Sequence, residues 1–287
     1  MATLPEGHPL YQHVQRASKH DVKWHRTPLH ALMNDFEPDI CGVETVKATR
    51  WDATWRSRLN TVIAGSRIEA VRAESSDRTR IKVYMDGSGY KGQVGAAAVM
   101  TKNGATTGVL KMRLGTEKDC TVYNGECAAL VLGMELIRRQ TGIESASIYV
   151  DNQAAIIGMG SRKANPGSYL LDHAHTVFAA AWRRNAGIKL MIHWIPGHEG
   201  VEGNERADKA AREAVEGWVS KKSSLPAPLR EKDAIKRSKA AAIQAYKVKL
   251  KKRARKGWKL SERYGRMVEL GLGRTSMGHK KAVASMT

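Results

Sequence analysis

Apolar and polar positions follow regular patterns only in the middle of the chain. Between residues 79 and 86 apolar side chains alternate with polar ones, which predicts a half-buried strand that ends at Asp86. Two further apolar runs, 95–100 and 108–114, flank the turn signal Asn103-Gly104 and predict an antiparallel pair of strands. This region therefore begins with three strands, the last two joined by a short turn.

Helical spacing follows this hairpin. Apolar positions recur every three to four residues from about 125 to 140, behind the capping residue Asn124, and again from 169 to 184. The remaining predicted elements are a strand at 147–150 that ends at Asp151, a brief helix after it, a strand at 189–195 and a helix from 204 to about 216. The order β-β-β-α-β-α-α-β-α predicts an α/β domain over residues 78–217, with a mixed sheet flanked by helices.

The regions on either side of this domain have weaker patterns. Residues 1–77 show little apolar periodicity and are interrupted by prolines, so we expect a poorly structured N-terminal segment. The Ser and Pro residues between 220 and 228 are typical of a linker. From Leu229 to Arg266 the chain is rich in Lys and Ala, which predicts a partly helical basic tail within residues 218–287.

Most of the positive charge lies in that tail. Residues 219–287 contain 20 Lys and Arg against four Asp and Glu, so they hold most of the net charge of +20. A positive segment binds polyphosphates by releasing counterions, and a solvated tail without a partner is the alternative. Nucleic-acid binding is predicted for the densest basic run, Lys251, Lys252, Arg253, Arg255 and Lys256. The nearby Trp258 and Tyr264 either stack on unpaired bases or pack on a neighbouring protein, and a nuclear-import role for the run is also open.

Cysteine usage and hydropathy indicate an intracellular protein. The three cysteines are an odd number and none is spaced as C-x-x-C, which argues against a disulfide framework. No apolar run approaches about 18 residues, and the N-terminus lacks the basic and apolar pattern of a secretory signal. We therefore expect no membrane partner, and the sequence leaves both cytoplasm and nucleus open.

Four acidic residues occupy positions where separate elements are expected to meet. Asp86 and Asp151 follow strands that should lie parallel and about 4.8 Å apart. Glu126 is placed in the first turn of one helix, and Asp208 in the first or second turn of another. Four converging carboxylates repel one another unless cations lie between them, so they predict a Mg²⁺ or Mn²⁺ site, with two ions, for phosphodiester hydrolysis. His198, on a loop flanked by glycine, is placed to carry protons or assist product release.

Four stretches of the sequence resemble a known family: Tyr84-Met85-Asp86-Gly87-Ser88-Gly89, Glu126-Cys127-Ala128-Ala129-Leu130, Tyr149-Val150-Asp151-Asn152-Gln153-Ala154, and Trp194 to Asp208. They resemble type 1 ribonuclease H, most of all the ribonuclease H domain of fungal non-LTR (LINE-type) retrotransposon polyproteins. The resemblance implies a ribonuclease H-like fold with a five-stranded mixed sheet. It also implies endonucleolytic cleavage of the RNA strand of RNA–DNA hybrids, which leaves 5′-phosphate and 3′-hydroxyl ends.

The resemblance further implies roles for individual residues. Two Mg²⁺ ions would be bound by Asp86, Glu126, Asp151 and Asp208, with His198 as a further catalytic residue. Glu126 would also contact the ribose 2′-hydroxyl near the cut. The hybrid would contact Gln153 and the backbone of Gly87 and Ser88. The flanks resemble the segments around this domain in such polyproteins, which implies the remainder of a reverse-transcriptase polyprotein as a partner.

Two positions depart from the cellular members of that family. The cellular enzymes carry asparagines three or four residues before the helix glutamate, where this chain has Tyr123 and Val122. The segment from Ser161 to Leu170 is also short for the basic handle of those enzymes. Selectivity for the hybrid would then rest on the tail or on other parts of a polyprotein.

Three other interpretations compete with an active hybrid-specific ribonuclease. The main alternative is a catalytically inactive, transposon-derived nucleic-acid-binding protein, and the intact acidic set argues against it. An integrase-like or resolvase-like nuclease is disfavoured by the spacing from His198 to Asp208 and by the Gly87-Ser88 pair. A polymerase is rejected because Tyr84-Met85-Asp86-Gly87 lacks the second aspartate of the Tyr-x-Asp-Asp signature.

Overall fold

The structure is a computed structural model that describes residues 12, 42–46, 50, 59–231 and 233–269. Its contacts divide the chain after Lys239 into two compact units. The elements of the first unit are β1 (Leu59–Val62), α1 (Arg67–Ser76), β2 (Ile81–Tyr90), β3 (Gln93–Lys102), β4 (Ala105–Thr116), α2 (Val122–Arg138), β5 (Ser145–Val150), α3 (Gln153–Gly160), α4 (Ser168–Arg184), β6 (Lys189–Trp194), α5 (Glu202–Glu216) and two 3-10 turns (Lys222–Ser224 and Ala227–Leu229). The second unit holds α6 (Lys239–Lys259), which begins at the boundary, and α7 (Glu262–Glu269). None of these helices is long and apolar enough to cross a membrane.

A six-stranded sheet with the order β1-β6-β5-β2-β3-β4 forms the centre of the first unit. Strands β2, β3 and β4 pair antiparallel, whereas β2 with β5, β5 with β6, and β6 with β1 pair parallel. The predicted mixed sheet flanked by helices is confirmed, and β1 adds a sixth strand to the five expected. Only Leu59 of β1 is partly buried, so this short strand has no alternating pattern that the sequence could reveal.

Helix α2 lies against the middle of the sheet and is buried on all sides from Asn124 to Ile137. It begins at Val122, three residues earlier than predicted, because Thr121 caps it. The Thr121 hydroxyl accepts a hydrogen bond from the Asn124 N–H, and the Asn124 side chain accepts one from the Thr121 N–H at 2.9 Å. Asn124 therefore completes the cap from inside the helix.

Two apolar clusters lie on opposite faces of the sheet. The face covered by α2 and α4, here the α2–α4 face, holds large side chains such as Met85, Leu130 and Ile148. The face covered by α1 and α5, the α1–α5 face, holds a smaller cluster built on Tyr84, Tyr149 and alanines of α5. Successive strand residues point to opposite faces, so β2 supplies Met85 to one cluster and Tyr84 to the other.

Described segments outside residues 78–217 also form contacts within the first unit. Val43 forms a parallel bridge with Arg237, and Arg50 forms an ion pair with Asp172 at 2.7 Å. The stretch 220–228, predicted as a linker, instead contributes Leu225 to the core of the α2–α4 face, because apolar side chains are interspersed among its Ser and Pro residues. Most of residues 1–58 lie outside the described residues, and the division into segments 1–77, 78–217 and 218–287 stays a prediction.

Candidate active site

The acidic residues from β2 and β5 meet where the parallel pairing of these strands ends. The last paired rung joins Met85 to Val150, and the next residues are Asp86 and Asp151. Strand β2 does not end at Asp86 as predicted but continues to Tyr90, because the glycine-rich stretch after Asp86 stays paired with β3. The two aspartates therefore leave the sheet side by side from neighbouring strands.

Glu126 of α2 completes this group. Asp86, Glu126 and Asp151 each offer one carboxylate oxygen, and the three oxygens lie within 4.8 Å of one another. Glu126 is the fifth residue of α2, in its second turn rather than the predicted first turn, since the helix begins at Val122. Asp86 and Glu126 are buried, and Asp151 is half-buried.

A close approach of backbone segments brings α2 to β2. A Cβ atom added at Gly87 would lie 2.3 Å from the Glu126 nitrogen and 2.5 Å from the Gly125 carbonyl carbon. Only glycine therefore fits at this position. The backbone of Gly87 also lowers the pKa of both Asp86 and Glu126, which partly offsets the effect of burial.

A second group adjoins the first. His198, Glu205 and Asp208 each offer one ligand atom, all within 4.8 Å of one another. Asp208, in the second turn of α5, also forms an ion pair with Arg212 at 2.9 Å. His198 adopts a left-handed backbone conformation with φ of 58°. The sequence analysis missed Glu205, although its position three residues before Asp208 places both on one side of a helix.

The geometry of the His198 loop connects the two groups. A Cβ atom added at Gly197 would lie 3.0 Å from Oδ2 of Asp151, so the backbone before His198 passes directly beside this carboxylate. The charge of Asp208 also acts on both Asp86 and Asp151 and raises the pKa of each. The four predicted acidic residues and His198 therefore lie in one region of the molecule, as two adjoining clusters.

Burial and mutual repulsion disfavour the charged forms of these carboxyl groups. Burial, with the charges of Asp151 and Asp208, raises the pKa of Asp86 to about 7. Burial, with the charges of Asp86 and Asp151, raises the pKa of Glu126 well above its ordinary value. Burial also raises the pKa of Asp151. Without a cation, the surroundings of these three groups therefore disfavour their charged forms.

The oxygens of this site fit a divalent cation. Oε2 of Glu126 is buried and accepts no hydrogen bond from any residue that the structure describes. Clustered carboxylate oxygens are the hard, anionic ligands that Mg²⁺ and Mn²⁺ prefer. Two asparagines not predicted from the sequence adjoin the cluster: Asn152 lowers the pKa of Glu126 and Asn204 lowers that of Asp151, which partly offsets the effect of burial.

The residues predicted to contact nucleic acid lie in two places. Gly87 and Ser88 belong to β2, and the exposed Gln153 is the first residue of α3. The basic run from Lys251 to Lys256 belongs to α6 in the second unit, where its side chains are exposed. Their contacts with nucleic acid stay predictions. Tyr123, which stands where the cellular enzymes have an asparagine, packs against Gly167. A Cβ atom added at Gly167 would lie 3.2 Å from its ring.

Comparisons with known proteins agree with this geometry. Residues 78–216 match the family model described as RNase H. The ribonuclease H of Rhodopseudomonas palustris (strain HaA2) is 31% identical over 144 residues, which cover 47% of this chain and 85% of that protein. The ribonuclease H of Francisella tularensis subsp. novicida (strain U112) is 27% identical over 153 residues, which cover 50% of this chain and 96% of that protein. Among solved structures, LC11-RNase H1 in complex with an RNA/DNA hybrid is 21% identical, with a TM-score of 0.37 over 47% of this chain and 96% of that one. With its acidic cluster, its mixed sheet, the match to the family model and the relative of 31% identity, the chain belongs to the RNase H family and has an RNase H-like fold.

Proposed function

We propose that this protein is a divalent-metal-dependent endonuclease that hydrolyses the RNA strand of RNA–DNA hybrids and leaves 5′-phosphate and 3′-hydroxyl ends. The observation that carries the proposal is the cluster of Asp86, Glu126 and Asp151, whose oxygens lie within 4.8 Å of one another in a chain of the RNase H family. The buried, unpartnered Oε2 of Glu126 adds to it, because such an oxygen needs a cation or a hydrogen-bond donor.

The RNase H family is generally dependent on divalent metal ions, and four carboxylates are available here to hold two of them. We assign Asp86, Glu126, Asp151 and Asp208 as ligands of two Mg²⁺ ions, for which Mn²⁺ can substitute. Bound metal ions supply an activated water and stabilise the leaving oxygen of a phosphodiester.

The remaining residues of the site act on orientation and proton transfer. Asn152 and Asn204 adjoin Glu126 and Asp151 and favour the charged forms of these carboxylates. His198, on its loop beside Asp151, moves protons during the reaction or product release. Glu126 contacts the ribose 2′-hydroxyl near the cut, which is the group that distinguishes RNA from DNA.

Hybrid binding is assigned to two surfaces. The backbone of Gly87 and Ser88, together with Gln153, contacts the hybrid near the acidic cluster. Helix α6 contains nine Lys and Arg residues and no acidic residue, so it is suited to phosphate groups of nucleic acid. This charge supports binding of nucleic acid through the tail.

The origin that we propose is a retrotransposon, with the remainder of a reverse-transcriptase polyprotein as a partner. The proposal rests on the motif resemblance and on the basic character of residues 219–287. It implies an intracellular site of action in the cytoplasm or the nucleus, where RNA–DNA hybrids form.

The test is cleavage of an end-labelled RNA–DNA hybrid by the full chain over a range of Mg²⁺ and Mn²⁺ concentrations. We expect metal-dependent cuts in the RNA strand, and a loss of rate of about 1,000-fold or more in Asp86→Asn, equivalent to about 4 kcal/mol. Hybrid binding measured at increasing salt in the same preparation should weaken steeply if the basic tail contacts phosphates.

Three outcomes would contradict this function. Salt-sensitive binding without turnover at any metal concentration would favour the inactive, transposon-derived binding protein. Cleavage of duplex DNA in place of the hybrid would favour a nuclease of different specificity. Cleavage that is equally fast in wild type and Asp86→Asn would show that the acidic cluster does not take part in the reaction.

A further inference from the structure

Helix α1 lies outside the residues that match the RNase H family, yet it contacts the two strands that lead to Asp86 and Asp151. It spans Arg67–Ser76, ahead of the matched residues 78–216. Its Val71 packs against the cluster of the α1–α5 face. Only Ala70 of α1 is fully buried, so apolar burial alone gives this helix little attachment. Its specific contacts with the rest of the unit are polar.

Two of these contacts hold tyrosine hydroxyls. Tyr84 of β2 donates a hydrogen bond to Oε1 of Glu74 at 2.5 Å. Tyr149 of β5 donates one to Oδ2 of Asp77, which caps the C-terminal end of α1, at 2.6 Å. Lys82 forms an ion pair with Glu74 at 3.1 Å, and both of these side chains are largely buried. One turn of α1 is thus tied to two neighbouring strands.

The two tyrosines form one rung of the parallel ladder. Tyr84 and Tyr149 are register partners, and their rings stack with centroids 5.0 Å apart and an angle of 16°. Two residues further along the same strands stand Asp86 and Asp151. Because side chains two positions apart lie on the same face, the two aspartates, just beyond the last paired rung, lie about 6.6 Å along the strands from the tyrosine pair.

A third contact reaches the loop that carries His198. Arg67, the first residue of α1, forms an ion pair with Glu199 at 2.7 Å. Glu199 follows His198 directly, between the left-handed His198 and Gly200, whose φ is 74°. Both charged side chains are substantially exposed, so the pair contributes little to the free energy of unfolding. It does, however, join α1 to the loop beside Asp151.

We propose that α1 is a positioning brace for the active site. Through Tyr84 and Tyr149 it holds the ends of β2 and β5 so that Asp86 and Asp151 keep the separation that a bound metal ion requires. Through the Arg67–Glu199 pair it restrains the loop of His198. The inference rests on the proposed function insofar as it assigns metal binding and turnover to these residues. The competing explanation is that the same contacts only dock α1.

The experiment removes the two hydroxyls and keeps the rings, in the double variant Tyr84→Phe/Tyr149→Phe of the full chain. We measure Mn²⁺ binding by electron paramagnetic resonance, thermal unfolding, and kcat and KM on the hybrid. We expect the Kd for Mn²⁺ to rise about tenfold, as when groups that orient metal ligands are lost, and kcat to fall with KM nearly unchanged. Glu74→Gln, which keeps an acceptor oxygen for Tyr84, should bind Mn²⁺ like the wild type.

The matched control is Asn185→Ala. Its side chain donates a hydrogen bond to the Gln140 carbonyl at 3.0 Å, near the start of β5 and away from Asp151. This variant should lower thermal stability and leave the Kd for Mn²⁺ unchanged. If the double variant loses stability but keeps both its Kd for Mn²⁺ and its kcat, α1 only docks and the proposal is overturned.

The Arg67–Glu199 pair is exposed, so a variant of this pair tests the proposal without disrupting the fold. Arg67→Ala should lower kcat about threefold and leave the Kd for Mn²⁺ unchanged. Arg67→Lys should restore kcat. An unchanged kcat in Arg67→Ala would refute the role of α1 at the His198 loop. Because Mn²⁺ binding is read without substrate, a wild-type chain that fails to cleave the hybrid would refute the proposed function and still leave the brace to be judged from the Kd values.

Discussion

The two faces of the sheet are packed by different chemistry, although the same strands supply both. On the α2–α4 face β2 and β5 present Met85, Ile148 and their neighbours to a continuous apolar core. On the α1–α5 face the same strands present Tyr84 and Tyr149, whose hydroxyls are held by Glu74 and Asp77. One face buries apolar area and the other fixes polar groups at defined distances.

The difference separates two tasks that substitutions can test independently. Apolar contacts are not directional, so the α2–α4 face stabilises the fold and tolerates small shifts. Hydrogen bonds and stacked rings are directional, and on the α1–α5 face they lie two residues before Asp86 and Asp151. Apart from the metal ligand Glu126 of α2, we therefore expect changes in the apolar core of the first face to alter stability alone. Changes on the second face should alter metal binding as well.

The largest effect on stability is expected for Leu130→Ala on α2. Leu130 is fully buried in the core of the α2–α4 face, and removing a buried leucine side chain leaves a cavity. We expect the free energy of unfolding to fall by about 3 kcal/mol, measured by urea denaturation. At a temperature where the variant is folded, its kcat and its Kd for Mn²⁺ should equal those of the wild type.

The conservative substitution Leu130→Met serves as the control, because it keeps the volume of the side chain. It should lose less than about 1.5 kcal/mol. A tenfold change of metal affinity in Leu130→Ala would show that the two faces are coupled and that the core of the α2–α4 face also affects metal binding.

A smaller effect is expected from pH in the absence of metal. The pKa of Asp86 is raised to about 7 in the folded state from an ordinary value of 3.8. The folded state therefore binds more protons than the unfolded state between about pH 4 and 7, and stability through this group falls as pH rises across that window. At about 1.4 kcal/mol for each unit of pKa, we expect a loss on the order of 2 kcal/mol between pH 5 and 8.

The measurement is thermal unfolding of the metal-free chain in a chelator at pH 5 to 8. The acidic groups with lowered pKa values, Asp77 and Glu135, titrate below this range. Burial also lowers the pKa values of His173 and His193, and these two groups add a contribution to stability that rises with pH in the wild type and in Asp86→Asn alike. Asp86→Asn should flatten the dependence, and added Mg²⁺ should raise stability most at the higher pH. A pH dependence of stability that is the same in Asp86→Asn and in the wild type, without metal, would contradict the assigned burial of Asp86.

Local patterns explain why much of the fold could be predicted from the sequence. Alternation along β2 and helical spacing along α2 are properties of consecutive residues, and they gave the order of elements from residue 79 to 216. They also placed Asp86 and Asp151 on neighbouring parallel strands, where the structure has them. The position of Glu126 within α2 was misjudged by one turn, because the cap at Thr121 lies before the apolar periodicity begins.

The elements that were not predicted depend on partners far away in the sequence. Helix α1 has one fully buried residue and almost no apolar stripe, and its contacts are with β2, β5 and the loop after β6. The same applies to Asn152 and Asn204, whose electrostatic effects on Glu126 and Asp151 act between separate elements. No periodicity within a segment can reveal such contacts.

The smallest effect concerns a polar contact on the α2–α4 face, at the start of α4. Gly167, the residue before α4, has no capping side chain of its own, and the helix is capped from a distance by Glu44. Oε2 of Glu44 accepts a hydrogen bond from the Gly167 N–H at 2.6 Å, and Oε1 accepts one from the Lys239 N–H at 2.8 Å. Glu44→Ala should therefore lower the free energy of unfolding by about 1 kcal/mol, the usual loss when a helix cap is removed. Glu44→Gln keeps one acceptor oxygen and should lose less stability.

The Glu44 contact lies on the face that we associate with stability. Neither variant should therefore change the Kd for Mn²⁺. A changed Kd in Glu44→Ala would show that polar contacts affect the active site from either face of the sheet.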